Sequence, residues 1–282
     1  MNTESSRNST PSLLVTHDLT IAYTLSLIVA FLMTAASFGG LFFPSNIYPS
    51  DELRQSFLAN DVVNLLIGLP ILFGSMWLTR RGKLIGLLCW PGALLYTFYN
   101  YIAYIFGIPL SWITLAFVAL VLLSGYLTFE LLRSIDSNAV QAQLKGTVFE
   151  KISGGVLVLF GVAFFFLAVG VITEANTQPE FPMTDVGVAI ADIILSVLLF
   201  VGGVFLYRRK PLGYAGGLGL LFAASTLFIG LIIFLLLQPV LTNAPFVLTD
   251  VIVVLIMGLI CFIPTGLFLR GILSKGNRRE TI

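Results

Sequence analysis

Two aspartates in this chain stand inside stretches that would ordinarily exclude charge. Asp61 heads NDVVNLLIGLPILFGSMWLTRRGK, which runs from Asn60 to Lys83, and Asp192 interrupts VGVAIADIILSVLLFVGG. A carboxyl group in such a setting can hold a cation or carry a proton, and amide and phenol groups can complete its hydrogen bonds. Such groups are near in sequence or at helical spacing. Asn64 follows Asp61 by one turn, and Tyr96, Asn100 and Tyr104 recur every fourth residue in YTFYNYIAYIFG. These residues define an expected substrate-binding pocket of Asp61, Asn64, Tyr96, Asn100 and Asp192, open on the side away from the basic loops.

The two acids differ in how readily a structural role explains them. Asn60 reads as a helix N-cap, with Asp61 in the first turn facing the positive end of the helix dipole. Asp61 precedes Arg80 by 19 residues, or ~28 Å of helix, close to one hydrocarbon thickness. Capping therefore outranks function for Asp61. Asp192 precedes Arg208 by 16 residues, or ~24 Å, which puts it a turn inside the boundary at a cost on the order of 2–3 kcal/mol. With Asp185, Ala189 and Ser196 it forms a stripe at helical spacing that should face a bundle interior. Tyr101 and Tyr104 read as members of an interfacial aromatic belt. Asn100 fits that belt less well, because a buried amide needs partners.

The elements that must carry these residues follow from composition. Hydrophobic residues make up 57% of the 282 positions and charged residues 10%, with a mean hydropathy of +0.99. Soluble domains carry about 25% charged residues, so this chain cannot cover itself with polar surface. The expected fold is all-α: a polytopic integral membrane protein whose partner is the lipid bilayer. A span needs ~20 apolar residues. Eight runs qualify, approximately 19–41, 61–79, 84–106, 111–132, 152–173, 186–207, 212–237 and 247–269.

Charge orients these spans. Arg80, Arg81, Lys83, Arg133, Lys145, Lys151, Arg208, Arg209, Lys210, Arg270, Lys275, Arg278 and Arg279 fall on one side. The other side holds Asp51, Glu52, Glu174, Glu180, Asp185 and Asp250, with Arg54 alone basic. By the positive-inside rule both termini are cytoplasmic and the protein is a multi-pass component of the plasma (cell) membrane. RRGK is then a topological anchor rather than a ligand site.

The halves also resemble each other. With one gap, LTRRGKLIGLLCWPGALL lies on LYRRKPLGYAGGLGLLF, pairing Arg80 with Arg208, Gly86 with Gly213 and Gly92 with Gly219. SGYLTFELLRSI lies on CFIPTGLFLRGI, pairing Arg133 with Arg270, and Asn64 falls opposite Asp192. A 4+4 parallel repeat gives the following organisation: a disordered cytoplasmic segment 1–17, a four-helix repeat 18–133, a linker 134–151, a second repeat 152–272 and a cytoplasmic tail 273–282.

Several classes of function are set aside. The net charge of +1 and scattered basic clusters do not suggest nucleic-acid binding. His17 is the single histidine, and Cys89 and Cys261 stand alone in apolar runs, so no metal or cofactor is implied. Asn8-Ser9-Thr10 matches a glycosylation acceptor but lies on the cytoplasmic side of this topology. There is no nucleotide loop, HExxH or CxxC motif, and GGLGLL lies within a span. Pro70, Pro91 and Pro264 are expected to kink helices, with Trp90-Pro91-Gly92 as a hinge. The pattern points first to a transporter of a small polar or cationic solute. A non-catalytic subunit acting as sensor or assembly partner comes second, and a lipid-modifying membrane enzyme third. Oligomeric state is not legible.

Overall fold

Lipid offers the backbone no hydrogen bonds, so a chain this apolar must satisfy its peptide groups within each segment, which helices do. The computed structural model describes residues 14–178 and 180–279, and in them no strand forms beyond a single bridge between Val15 and Ile135. Eight long helices follow in chain order: α1 (Thr20–Phe42), α2 (Asp51–Arg80), α3 (Leu84–Gly107), α4 (Thr114–Ser134), α5 (Glu150–Ala175), α6 (Met183–Tyr207), α7 (Pro211–Leu241) and α8 (Leu248–Arg279). All but α3 are long and apolar enough to cross a bilayer, seven among the described residues. The protein is therefore a helical, multi-pass membrane protein. The glycosylation triplet at 8–10 and most of the expected disordered segment lie outside the described residues; residues 14–16 run antiparallel to 134–136, with Thr16 N donating to Ser134 O at 2.8 Å.

Helix α3 owes its lower hydropathy to Trp90, Pro91, Asn100 and tyrosines at 96, 99, 101 and 104. The same residues explain its position. A segment rich in polar groups is the one that others must shield from lipid, and α3 packs against α2, α4, α6 and α7. Tyr101 and Tyr104 are fully buried there, so they do not form the interfacial belt read from the sequence.

Helix α2 begins earlier than hydropathy suggests. Ser50 is its N-cap, accepting from Leu53 N at 3.2 Å, and Asp51 and Glu52 occupy the first turn. Asn60 is thus mid-helix and caps nothing, and Asp61 is too far from the N-terminus to meet the dipole. The reason is amphipathicity: DELRQSF buries Leu53 and Phe57 while exposing Asp51 and Glu52, a pattern that mean hydropathy does not register. Further along, Asn64–Gly68 forms a π turn, with Leu69 N bonded to Asn64 O. Pro70 cannot donate to the carbonyl one turn back and its ring crowds that carbonyl, which a widened preceding turn relieves.

Polar links identify the two ends of the bundle. At one end Gln141, in the short helix Ser137–Leu144, donates to Arg209 O at 2.6 Å, and the Arg209 guanidinium lies 3.7 Å from Glu150. At the other, Thr184 donates to Glu52 at 3.3 Å and Gln238 to Gln55 O at 3.1 Å. The turns entering α3 and α7 share one geometry. Lys83 N bonds Leu78 O, Gly82 N bonds Thr79 O and Gly86 N bonds Lys83 O; Lys210 N bonds Phe205 O, Arg209 N bonds Leu206 O and Gly213 N bonds Lys210 O. Gly82 and Arg209 are each left-handed, with φ of 73° and 56°.

The two helices entered by these turns cross where neither has a side chain. A Cβ on Gly92 of α3 would collide with the carbonyl oxygen of Gly219 of α7, so the backbones themselves are in contact. Gly92→Ala should lower the thermal unfolding midpoint, since overpacking costs roughly 1–3 kcal/mol. Gly216→Ala, whose Cβ would meet nothing nearer than Leu132 at 3.5 Å, should not lower it. Equal melting of the two variants would show that the crossing is not close-packed.

Candidate functional site

The polar residues of the half of the bundle away from the basic turns form two groups, linked through the Asn60 amide and the Tyr104 hydroxyl. The first surrounds Asp61, which is 1% exposed. Its Oδ2 accepts from the Tyr48 hydroxyl at 2.7 Å and its Oδ1 from the Tyr104 hydroxyl at 2.9 Å. Tyr48 comes from the connection between α1 and α2, after the short helix Pro44–Ile47. Burial, and then the neighbouring Asp61, push the Tyr48 phenol well above its ordinary range, which keeps it a proton donor. On α1, a Cβ at Gly40 would overlap the Asp61 carboxyl and lie 2.7 Å from the Tyr48 oxygen, so only glycine leaves room for this pair.

The second group borders a cavity of about 400 Å³. Asn60 of α2 donates to Asn100 Oδ1 at 3.1 Å and reaches the Tyr104 hydroxyl at 3.3 Å. Tyr96 donates to Asn64 Oδ1 at 3.1 Å, and Asn100 donates to Tyr96 O at 2.9 Å. On the cavity wall, Tyr99 donates to Asp192 Oδ1 of α6 at 2.8 Å. The second Asp192 oxygen accepts no hydrogen bond among the described residues.

Of the residues expected from sequence, Tyr96, Asn100 and Asp192 line this cavity, whereas Asp61 and Asn64 lie behind it. Asn60 and Tyr99 also line it and were not anticipated. Tyr99 had a usable signal, since Tyr96, Tyr99, Asn100 and Ala103 follow the i, i+3, i+4, i+7 rule and all four face the cavity. Asp185, on the expected α6 stripe, is exposed, and the Ser196 hydroxyl bonds back to Ile193 O at 2.7 Å. Ser56 of α2 adds a hydroxyl to the lining, and the remaining wall is apolar, with Phe164 from α5, Phe228 and Phe234 from α7, and Val254 and Met257 from α8.

Chemically, this arrangement can hold a charged or hydrogen-bonding group at Asp192 while an apolar body fills the remaining volume. The Asp61 group is enclosed and bonded at both oxygens, and it fixes the relative positions of α2, α3 and the turn after α1. Removing the Tyr104 hydroxyl strips a donor from Asp61 and a partner from Asn60, so Tyr104→Phe should destabilise the fold by roughly 1–3 kcal/mol. Tyr99→Phe leaves Asp192 facing an open cavity and should cost less than about 1 kcal/mol. Chemical denaturation in micelles would rank the two; the reverse order would contradict the keystone role of Asp61.

Protein-family models, curated proteins and solved structures were each compared with the chain, and none matches it.

Proposed function

We propose that the protein is a carrier for a small cationic solute, with the cavity between α2, α3, α6 and α7 as its binding site. The observation that supports this most is Asp192: a carboxylate within a membrane span, on the lining of a cavity of about 400 Å³ and hydrogen-bonded through one oxygen only. A carboxylate in the membrane is expensive and is retained where it serves a pathway or a ligand.

The carrier reading includes eight spans. Helix α3 has 24 residues and no charged one, about 36 Å of helix against a hydrocarbon core of ~30 Å. Both termini then lie on the side of the basic turns, which the positive-inside rule makes cytoplasmic, and the cavity lies toward the outer face of the plasma membrane.

The reading also includes a 4+4 repeat. Its support is the pair of matching turns, related by one offset: 209 − 82 = 127 for the left-handed residues and 213 − 86 = 127 for the glycines that follow. The same offset pairs Gly92 with Gly219, the residues at the α3–α7 crossing. In this register Arg81, not Arg80, pairs with Arg208, and the extra residue needed to bring Asn64 opposite Asp192 is absorbed by the π turn of α2. Equivalent helices meeting at equivalent glycines is what a two-fold axis along the membrane normal would produce, and carriers are often built that way.

A second reading, a non-catalytic subunit, draws on the Ser225–Thr265 hydrogen bond of 2.8 Å between α7 and α8, which does no more than join helices. The two readings separate in proteoliposomes on a solid-supported membrane. Jumps of tetramethylammonium, choline or tetraethylammonium should give a charge displacement above protein-free liposomes, and Asp192→Asn should reduce it at least tenfold. No displacement for any of these ions in the wild type would remove the carrier reading.

A further inference from the structure

Resting on that reading, we infer that the solute is a monocationic amphiphile: one ammonium group on an apolar body, without phosphate, reaching the cavity from the lipid. Three features of the cavity converge on this class.

The first is charge. Asp192 is the sole ionisable carboxyl on the lining, and none of the described lining residues is basic. One carboxylate balances one positive charge. A phosphate- or carboxylate-bearing partner would enter without a counter-charge, and a buried unpaired anion is strongly disfavoured. A divalent metal ion would keep one positive charge uncompensated beside a single carboxylate, and among the described residues no group of three or more His, Cys, Asp or Glu is placed to hold one.

The second is the wall. Six of the lining residues are aromatic: Phe57, Tyr96, Tyr99, Phe164, Phe228 and Phe234. Ring faces attract a poorly hydrated organic ammonium, and they offer little to a hydrated inorganic ion. The far side, with Leu227, Leu231 and Met257, has no hydrogen-bonding side chain to offer a hydrophilic solute. Burying a sugar or a zwitterion there would strand its polar groups. An alkyl or aryl body would instead gain from the contact.

The third is access. Three lining residues are also well exposed: Leu167 at 60%, Leu231 at 42% and Val188 at 40%. They come from α5, α7 and α6, so the cavity edge they form is apolar and faces acyl chains in a bilayer. A molecule that already partitions into the membrane meets this edge directly, ammonium near the headgroups and tail in the core. Asp192, in the third turn of α6 counted from the acidic end, is within reach of such a headgroup.

The test uses the full chain in phosphatidylcholine nanodiscs and reads the thermal unfolding midpoint with four probes. Hexyltrimethylammonium carries charge and tail, tetramethylammonium the charge alone, hexanol the tail alone, and hexanoate the tail with the opposite charge. At ten times its Kd, hexyltrimethylammonium should raise the midpoint by roughly 3–6 °C. Its apparent Kd should be at least tenfold lower than that of the other three. Asp192→Asn should abolish that preference, while Tyr99→Phe, which keeps the carboxylate, should retain it; each variant's own midpoint without probe reports whether it folds. If tetramethylammonium binds as tightly as hexyltrimethylammonium, the tail is irrelevant and the inference fails while the carrier reading stands. If hexanol or hexanoate binds as tightly, the charge is irrelevant and the inference fails. If no probe shifts the wild type, both this inference and the proposed binding site fall.

Discussion

A carboxyl group that cannot reach water must find all its hydrogen bonds among its neighbours, and in this bundle that requirement falls on Asp61. Its two oxygens take the hydroxyls of Tyr48 and Tyr104, which tie the turn after α1 and the middle helix α3 to α2. Gly40 contributes by having no side chain where the carboxyl sits. An unsatisfied polar group here would cost a few kcal/mol, so the three segments hold one another in a single arrangement. Asn60, one residue from Asp61 and bonded to both Tyr104 and Asn100, carries that rigidity to the cavity wall.

The two aspartates show how environment divides the work of identical side chains. Asp61 is bonded at both oxygens and sealed by aromatic rings: Phe57 and Tyr104 lie with centroids 4.5 Å apart, and Tyr48 and Phe57 5.9 Å apart. Nothing can approach it without dismantling the contact between α2 and α3. Asp192 has one phenol partner and an open side. On the carrier reading, the group held rigidly behind the cavity supports the site and the group left available within it receives the solute.

How far the chain's residues announce this can be judged position by position. The apolar runs and the segregation of Arg80–Lys83 from Asp51 and Glu52 were legible, because bilayer thickness and charge placement act on composition directly. The true start of α2 was not. Leu53 and Phe57 are buried on a segment whose mean hydropathy is low, so only a periodicity reading would have extended the helix and moved Asn60 off the cap. Tyr48 gave no signal at all. It lies in a short connection, and its role depends on the chain folding back toward Asp61, a tertiary event with no local pattern. Burial of Tyr101 and Tyr104 was missed for a related reason: tyrosine near the end of a span is read as facing the interface, whereas here α3 is surrounded by other helices.

On the carrier reading, the distribution of contacts between the halves has a mechanical consequence. Gly92 lies in the third turn of α3, counted from the basic end, and its backbone rests on Gly219. A close-packed backbone crossing has no side chains to rearrange, so it can act as a pivot without changing partners. Toward the acidic end the halves are joined by exchangeable polar contacts: Thr184 with Glu52, Gln238 with Gln55, and Tyr99 with Asp192. The last of these lies on the cavity wall itself. Tilting about the glycine crossing would strain it before any contact within a half, because the Asp61 group and the Asn60–Asn100 bond both lie inside the first half. A cation seated at the free oxygen of Asp192 would weaken that carboxylate as an acceptor for Tyr99. Occupancy of the site and release of the contact that bridges the halves would then be a single electrostatic event.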